Sequence, residues 1–139
     1  MSGAPAAGIE VGTRPPARDI GPLTTRMFVR YAGASGDFNP IHYDDAMARS
    51  AGYPSVFAQG MLSAALLSGY AVEWLGADGV RRFAVRFREQ VYPGDVLTCS
   101  GVVASVRATD EGTLVGVELQ ATVGERAAVT ATAEFLLSG

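Results

Sequence analysis

Gly60-Met-Leu-Ser-Ala-Ala-Leu-Leu-Ser-Gly-Tyr-Ala-Val-Glu-Trp-Leu75 is the stretch that decides the fold. Almost every side chain in it is apolar or small, and Glu73 carries its only charge. A helix that is hydrophobic around most of its circumference is a buried one. Ser63, Ala64, Ala65, Ser68, Gly69 and Ala71 remove bulk at repeated positions, so this helix can lie very close to another layer. The run is short for a bilayer span and is interrupted by polar residues. The expected arrangement is a central helix wrapped by sheet.

The sheet is read from the residues that follow. Beyond Gly79 the period changes to two: Phe83, Val85 and Phe87 alternate with Arg82, Ala84, Arg86 and Arg88. Pro93-Gly-Asp95 makes a turn before a second strand over residues 96–106, with Val102, Ala104 and Val106 expected on one face. A third strand follows Asp110-Glu-Gly112, with Val115, Val117, Leu119 and Ala121 to one side. A fourth follows Gly124-Glu125, with Val129, Ala131, Ala133 and Phe135 inward. Short successive connections predict an antiparallel sheet, and the chain is α+β.

On the other side of the helix the chain is less regular. Residues 1–19, with Pro5, Pro15 and Pro16, read as a flexible end followed by at most a short edge strand. Thr24 or Thr25 caps a helix running toward Tyr31, with Met27, Phe28 and Tyr31 as its apolar stripe. A break containing Gly33, Ser35, Gly36, Asn39 and Pro40 ends that helix, and a short helix is expected over residues 44–51.

At 139 residues the length suits one domain, spanning 1–139 with residues 1–8 flexible. The net charge of -3 gives no global attraction to nucleic acid or an anionic membrane. Cys99 is the only cysteine, so no internal disulfide or cysteine-rich metal cluster is available. A reducing, cytoplasmic setting is the simpler expectation from that lone cysteine, and the first residues lack the positive start and long apolar middle of a secretion signal.

The best proton-transfer candidates lie in Tyr31-Ala-Gly-Ala-Ser-Gly-Asp-Phe-Asn-Pro-Ile-His-Tyr-Asp44, where the sole histidine, His42, follows Asp37 by five residues. An imidazole titrates near neutral pH, and a carboxylate can hold a water beside it. Asn39 can orient the loop and Pro40 stiffens it. The structural alternative is that Asp37 caps the turn and His42 is a satisfied buried polar group. Asp44 and Asp45 suit a helix's first turn better than a metal site, and no metal is expected. If Gly60 opens the buried helix, its N–H can meet negative charge developing on a substrate oxygen; otherwise Gly60 merely permits a tight turn.

These residues, with Gln59-Gly-Met61 and the small-residue helix through Ser68-Gly69, closely resemble the MaoC-like or R-specific enoyl-thioester hydratase family. The resemblance covers nearly the whole chain and is most distinctive over residues 31–44. It implies a hot-dog fold, a curved antiparallel sheet around the long helix. It also implies Asp37 and His42 as the water-activating pair, the Gly60 amide as oxyanion donor, Asn39 as loop support and Ser68 as a pocket residue. Substrates would be enoyl or 3-hydroxyacyl thioesters of coenzyme A or acyl carrier protein, with no further cofactor, and a second subunit would complete a tunnel for the pantetheine arm. The family commonly has His-Gly-Met at the helix entry. Gln59 cannot titrate as histidine can, whereas a contact through the Gly60 backbone does not depend on it.

The implied reaction is reversible hydration of a trans-2-enoyl thioester to the R-3-hydroxyacyl thioester. Three alternatives follow from the same features: the catalytic half of an unlike-subunit dehydratase, an acyl-thioester hydrolase, and a binding module without turnover. A homodimer is the expected assembly, with an unlike hot-dog subunit as the other option. Arg86 and Arg88, opposite Phe83, Val85 and Phe87, are candidate contacts to carrier phosphates.

Overall fold

In a computed structural model, which describes residues 8–138, the expected central helix is α3, Gly60–Leu75. Leu67, Ala71 and Leu75 are fully buried along it, and Tyr70 nearly so. Burying a leucine side chain contributes about 1.5–3 kcal/mol, so this one helix supplies a large share of the core. The expectation of a flexible start falls on residues 1–7, which lie outside the described residues; Gly8 forms part of a turn.

Around α3 lies a five-stranded antiparallel sheet in the order β1-β3-β4-β5-β2. The strands are β1 (Arg18–Ile20), β2 (Val80–Phe87), β3 (Leu97–Thr109), β4 (Gly112–Val123) and β5 (Arg126–Leu137). The α+β hot-dog arrangement is therefore present. Val115, Val117, Leu119 and Ala121 of β4 and Val129, Ala131, Ala133 and Phe135 of β5 all face the core, as their alternation predicts.

Two parts of the sheet depart from the sequence reading. Val102, Ala104 and Val106 do not share a face. The β3–β4 register shifts between Val103 and Ser105, so Val102 pairs with the outward Glu118 while Val106 pairs with the buried Val115. An extra residue in one strand reverses which side later side chains take. The buried face of β3 is Leu97, Cys99 and Val103. Nor does the turn at Pro93-Gly-Asp95 make a hairpin, because β2 pairs with β5 and β3 lies between β1 and β4. Residues 88–96 instead carry the chain between opposite parts of the sheet. On the way the Val91 carbonyl accepts from Ala58 N–H at 2.8 Å, and the Asp95 carbonyl accepts from Leu23 N–H at 2.8 Å.

Before α3 come α1 (Thr25–Ser35) and α2 (Asp45–Ser50). Thr24 caps α1, its side chain accepting from Met27 N–H. The helix runs past Tyr31 through Gly33 and Ser35, four residues beyond the expected end. Alanines at 32 and 34 favour continuation, and the real stop is Gly36, whose φ of 79° is the left-handed conformation that glycine adopts without a Cβ penalty.

Candidate functional site

The loop after α1 winds by a repeated local bond. The Ser35 hydroxyl accepts from Asp37 N–H at 3.1 Å, the Asp37 carboxylate from Asn39 N–H at 3.3 Å, and the Asn39 side-chain oxygen from Ile41 N–H at 3.2 Å. Each short polar side chain closes a turn on the backbone two residues ahead. Asn39 thereby caps a single 3-10 turn, Pro40–His42, which Pro40 favours by fixing its own φ. The Tyr43 hydroxyl donates to the Phe38 carbonyl at 3.1 Å and closes the loop.

This winding turns His42 inward, to 7% exposure, and leaves Asp37 on the surface side. His42 Nδ1 lies 2.8 Å from the Phe57 carbonyl oxygen. A carbonyl only accepts, so Nδ1 carries the proton and the neutral ring keeps its lone pair on Nε2. That Nε2 is 3.7 Å from Asp37 Oδ2. The separation is too long for a direct hydrogen bond and suits two groups that share one water. The Phe57 ring meets the imidazole edge-on at a centroid distance of 5.1 Å, which fixes the ring plane as well as its proton.

Phe57 joins this pair to the start of α3, three residues later. Gln59 offers α3 no side-chain cap, and the first backbone donor tied into the helix is Leu62 N–H, bonded to the Gln59 carbonyl. The Gly60 N–H therefore sits in the unbonded first turn, with the positive end of the helix dipole behind it. A Cβ at Gly60 would meet the Phe87 ring at 3.1 Å. A cavity of about 200 Å³ lies there, bordered by Phe57, Ala58, Gly60, Ser63, Phe87 and Arg88 among others. Asp37 and His42 do not line it, and neither does Ser68; the serine at this end of α3 is Ser63, which is buried.

Arg86 and Arg88 point to a different place. With Arg14 they border a groove of about 580 Å³ across β2, β3, β4 and β5, and Arg88 borders the smaller cavity as well. Arg88 Nε donates to the Thr130 hydroxyl at 3.3 Å. The carboxylates of Asp44 and Asp45 are engaged locally: Asp44 accepts from Ala46 and Met47 N–H, and Asp45 accepts from Val56 N–H and pairs with Arg49 at 3.9 Å. Among the described residues no group of three or more His, Cys, Asp and Glu is arranged to hold a metal ion, and no helix is long and apolar enough to cross a membrane.

No pattern in the sequence singles out Phe57, Ser63 or Phe87. Phe57 acts through its carbonyl, which every residue possesses, so no side-chain pattern could single it out. Ser63 and Phe87 belong to runs whose periodicity signals only core or strand.

Comparison with known proteins follows the same lines. A family model described as MaoC like domain matches residues 7–125. Fatty acid synthase subunit beta of Aspergillus oryzae is 36% identical over 122 residues, which are 78% of this chain and 6% of that protein. The chain thus spans a small part of that relative's length. Among solved structures, the (R)-hydratase from Aeromonas caviae involved in PHA biosynthesis is similar with a TM-score of 0.83 at 27% identity, over 95% of this chain and 99% of that one. The ChsH1–ChsH2 complex from Mycobacterium tuberculosis is similar with a TM-score of 0.81 at 26% identity, over 92% and 98% respectively.

Proposed function

Because this chain belongs to the MaoC-like domain family, we propose that it adds water reversibly across the C2=C3 bond of a trans-2-enoyl thioester. The observation that carries the reading is the placement of His42, with Nδ1 2.8 Å from the Phe57 carbonyl and Nε2 3.7 Å from Asp37. With Nδ1 committed to Phe57, the Nε2 lone pair and the Asp37 carboxylate face one another at the spacing of a shared water. That water loses a proton to the pair as its oxygen bonds to C3. The electrons of the double bond move onto the thioester oxygen, where the Gly60 N–H stabilises the developing enolate. A proton returned to C2 completes the 3-hydroxyacyl thioester. Asn39 holds the loop, and Ser68, outside the cavity at Gly60, would meet the acyl chain further along α3. In this reading one hot-dog domain carries every group, the product has the R configuration of the similar hydratase, and the lone buried Cys99 fits a cytoplasmic enzyme.

The carrier is coenzyme A or acyl carrier protein. Arg88, shared by the cavity at Gly60 and the larger groove, makes Arg86 and Arg88 the preferred contacts for its phosphates. Replacing each arginine by Ala raises KM for coenzyme-A thioesters and leaves KM for short pantetheine thioesters unchanged; equal effects on both remove the phosphate role.

An apolar rim supports assembly with a second subunit. Phe38, Tyr43 and Met47 beside the dyad loop, and Met61 and Phe87 beside Gly60, are all exposed large hydrophobic residues. A second hot-dog subunit would cover such a rim and close the pantetheine tunnel. A homodimer is the first reading. A catalytic chain paired with an unlike one is the second, favoured by similarity to a two-component complex. Native mass of the purified chain, with activity measured alone and after co-purification from its source, separates the two.

The test of the reaction is loss of conjugated enoyl absorbance without release of free thiol. Thiol release in its place identifies a thioester hydrolase, and thioester binding with neither change identifies a binding module.

A further inference from the structure

Gln59 immediately precedes α3 and is 1% exposed. Its Nε2 donates to the Phe28 carbonyl at 2.8 Å, while its Oε1 is buried with no hydrogen-bond partner. A buried acceptor left without a donor costs free energy. The acceptor that Nε2 serves gains little in return, because Phe28 lies within α1 and its carbonyl already accepts from the helix N–H four residues on. On stability alone, an apolar side chain of the same shape would serve as well here.

The bonds around Gln59 supply another reason for the amide. The Phe57 carbonyl accepts from His42 Nδ1 at 2.8 Å, and Ala58 N–H donates to the Val91 carbonyl at 2.8 Å. Gln59 then reaches α1, and Gly60 opens α3. Over four consecutive residues the chain is bonded to the imidazole through the Phe57 carbonyl, to the connection after β2 through Ala58 N–H and to α1 through the Gln59 side chain, and ends at Gly60, the oxyanion donor. Asp37 is carried differently: it follows the C-cap of α1 directly, so it moves with α1. Asp37 and His42 share the loop wound over residues 35–42, which hangs from the end of α1, but the imidazole is anchored outside that loop, on the 57–60 segment. The Gln59 amide is a direct bond between that segment and α1.

We propose that Gln59 is a positioning residue whose amide, by binding the α1 backbone, sets the separation of Asp37 from His42 and hence the geometry of the water between them. Its kinetic consequence rests on the hydration reading; its geometric consequence does not.

The main variant is Gln59→Met in the full chain, which keeps the length of the side chain while removing both the donor and the partnerless acceptor. The expected result is an unfolding midpoint close to wild type, kcat lowered tenfold or more, and KM changed less than threefold. Gln59→His, which supplies a ring N–H donor, recovers most of the lost kcat. A purely structural role gives the reverse: a lowered midpoint, unchanged kcat per folded molecule and no recovery by histidine.

A second measurement is independent of turnover. His42 is the sole histidine, so its ring signals are unambiguous in a nuclear magnetic resonance spectrum. Gln59→Met is expected to shift these signals and the Asp37 carboxyl signal, both remote in sequence from the substitution. Unmoved signals overturn the inference. If the wild-type protein hydrates no enoyl thioester, the functional reading fails while these signals still decide the role of Gln59.

Should Gln59→Met not fold, Gln59→Glu replaces it. A protonated glutamic acid donates to the Phe28 carbonyl and an ionised one cannot. Activity that falls with rising pH more steeply in Gln59→Glu than in Gln59→His supports the inference; identical profiles overturn it.

Discussion

Replacing Asp37 by Asn changes a proton-accepting oxygen into a donor at nearly constant shape, and the structure separates what this does to folding from what it does to turnover. One carboxylate oxygen accepts from Asn39 N–H at 3.3 Å, a bond the asparagine oxygen keeps. The other faces His42 Nε2 at 3.7 Å from a side chain that is 47% exposed. Even a fully charged pair at an exposed position contributes only about 0–1 kcal/mol, so the unfolding free energy should change by no more than about 1 kcal/mol. General acid–base catalysis contributes about 10²–10⁴-fold, equivalent to about 2.7–5.4 kcal/mol at 1.36 kcal/mol per decade. Turnover should therefore fall by at least about a hundredfold in a protein that still folds and still binds thioester. The assay combines urea unfolding, calorimetric affinity for a 3-hydroxyacyl thioester, and the rate of enoyl absorbance loss. A kcat within threefold of wild type, with folding intact, would refute the assignment of proton transfer to this carboxylate.

Gly60→Ala retains the backbone N–H but sets a methyl 3.1 Å from the half-exposed Phe87 ring, which has room to yield. Unfolding should be little changed while kcat/KM drops about tenfold, or ~1.4 kcal/mol, as the cavity mouth narrows; unaltered kinetics would show that substrate does not approach this amide. Leu67→Ala, at a fully buried position on α3, should cost about 2–5 kcal/mol in denaturant unfolding, and a loss below 1 kcal/mol would contradict the central role of that helix. Burial pushes the Cys99 thiol up to about 11, opposed by the neighbouring Arg18 charge. The folded state then holds this proton more tightly than the unfolded chain. Stability from the group is full below about pH 9.0 and is lost as the pH rises through about 11. Denaturation midpoints measured between pH 8 and 11 should decline, less steeply in Cys99→Ala; the same slope in both proteins would remove Cys99 as a cause.

The parts of this molecule that the sequence made legible are those whose side chains answer to one physical demand. The α3 boundaries follow from a run that is apolar all round, and β4 and β5 from uninterrupted alternation. The misread face of β3 has a local cause. The bulge between Val103 and Ser105 leaves no composition signal, and after it the alternation names the wrong side. Gly33 misled for a similar reason: a glycine within α1 resembles a stop until the next glycine, Gly36, takes the left-handed conformation.

The candidate site divides in the same way. Asp37, Asn39 and His42 stood out because few residue types exchange protons or wind loops, and the structure brings Asp37 and His42 face to face. What orients them was hidden. The acceptor of His42 is a carbonyl, and the residue that ties α1 to α3 is a glutamine whose side chain buries itself at a helix start. The route of residues 88–96 was equally unreadable, because strand order depends on pairing between segments distant in sequence.

The most direct measurement of the central claim uses a trans-2-enoyl thioester in ¹⁸O-labelled water, with the products resolved by mass and on a chiral column. The account predicts one ¹⁸O atom at C3 of an intact 3-hydroxyacyl thioester of R configuration, and loss of that product in Asp37→Asn. Label in a free carboxylic acid accompanied by released thiol, or an R-hydroxy product formed equally well by Asp37→Asn, would contradict it.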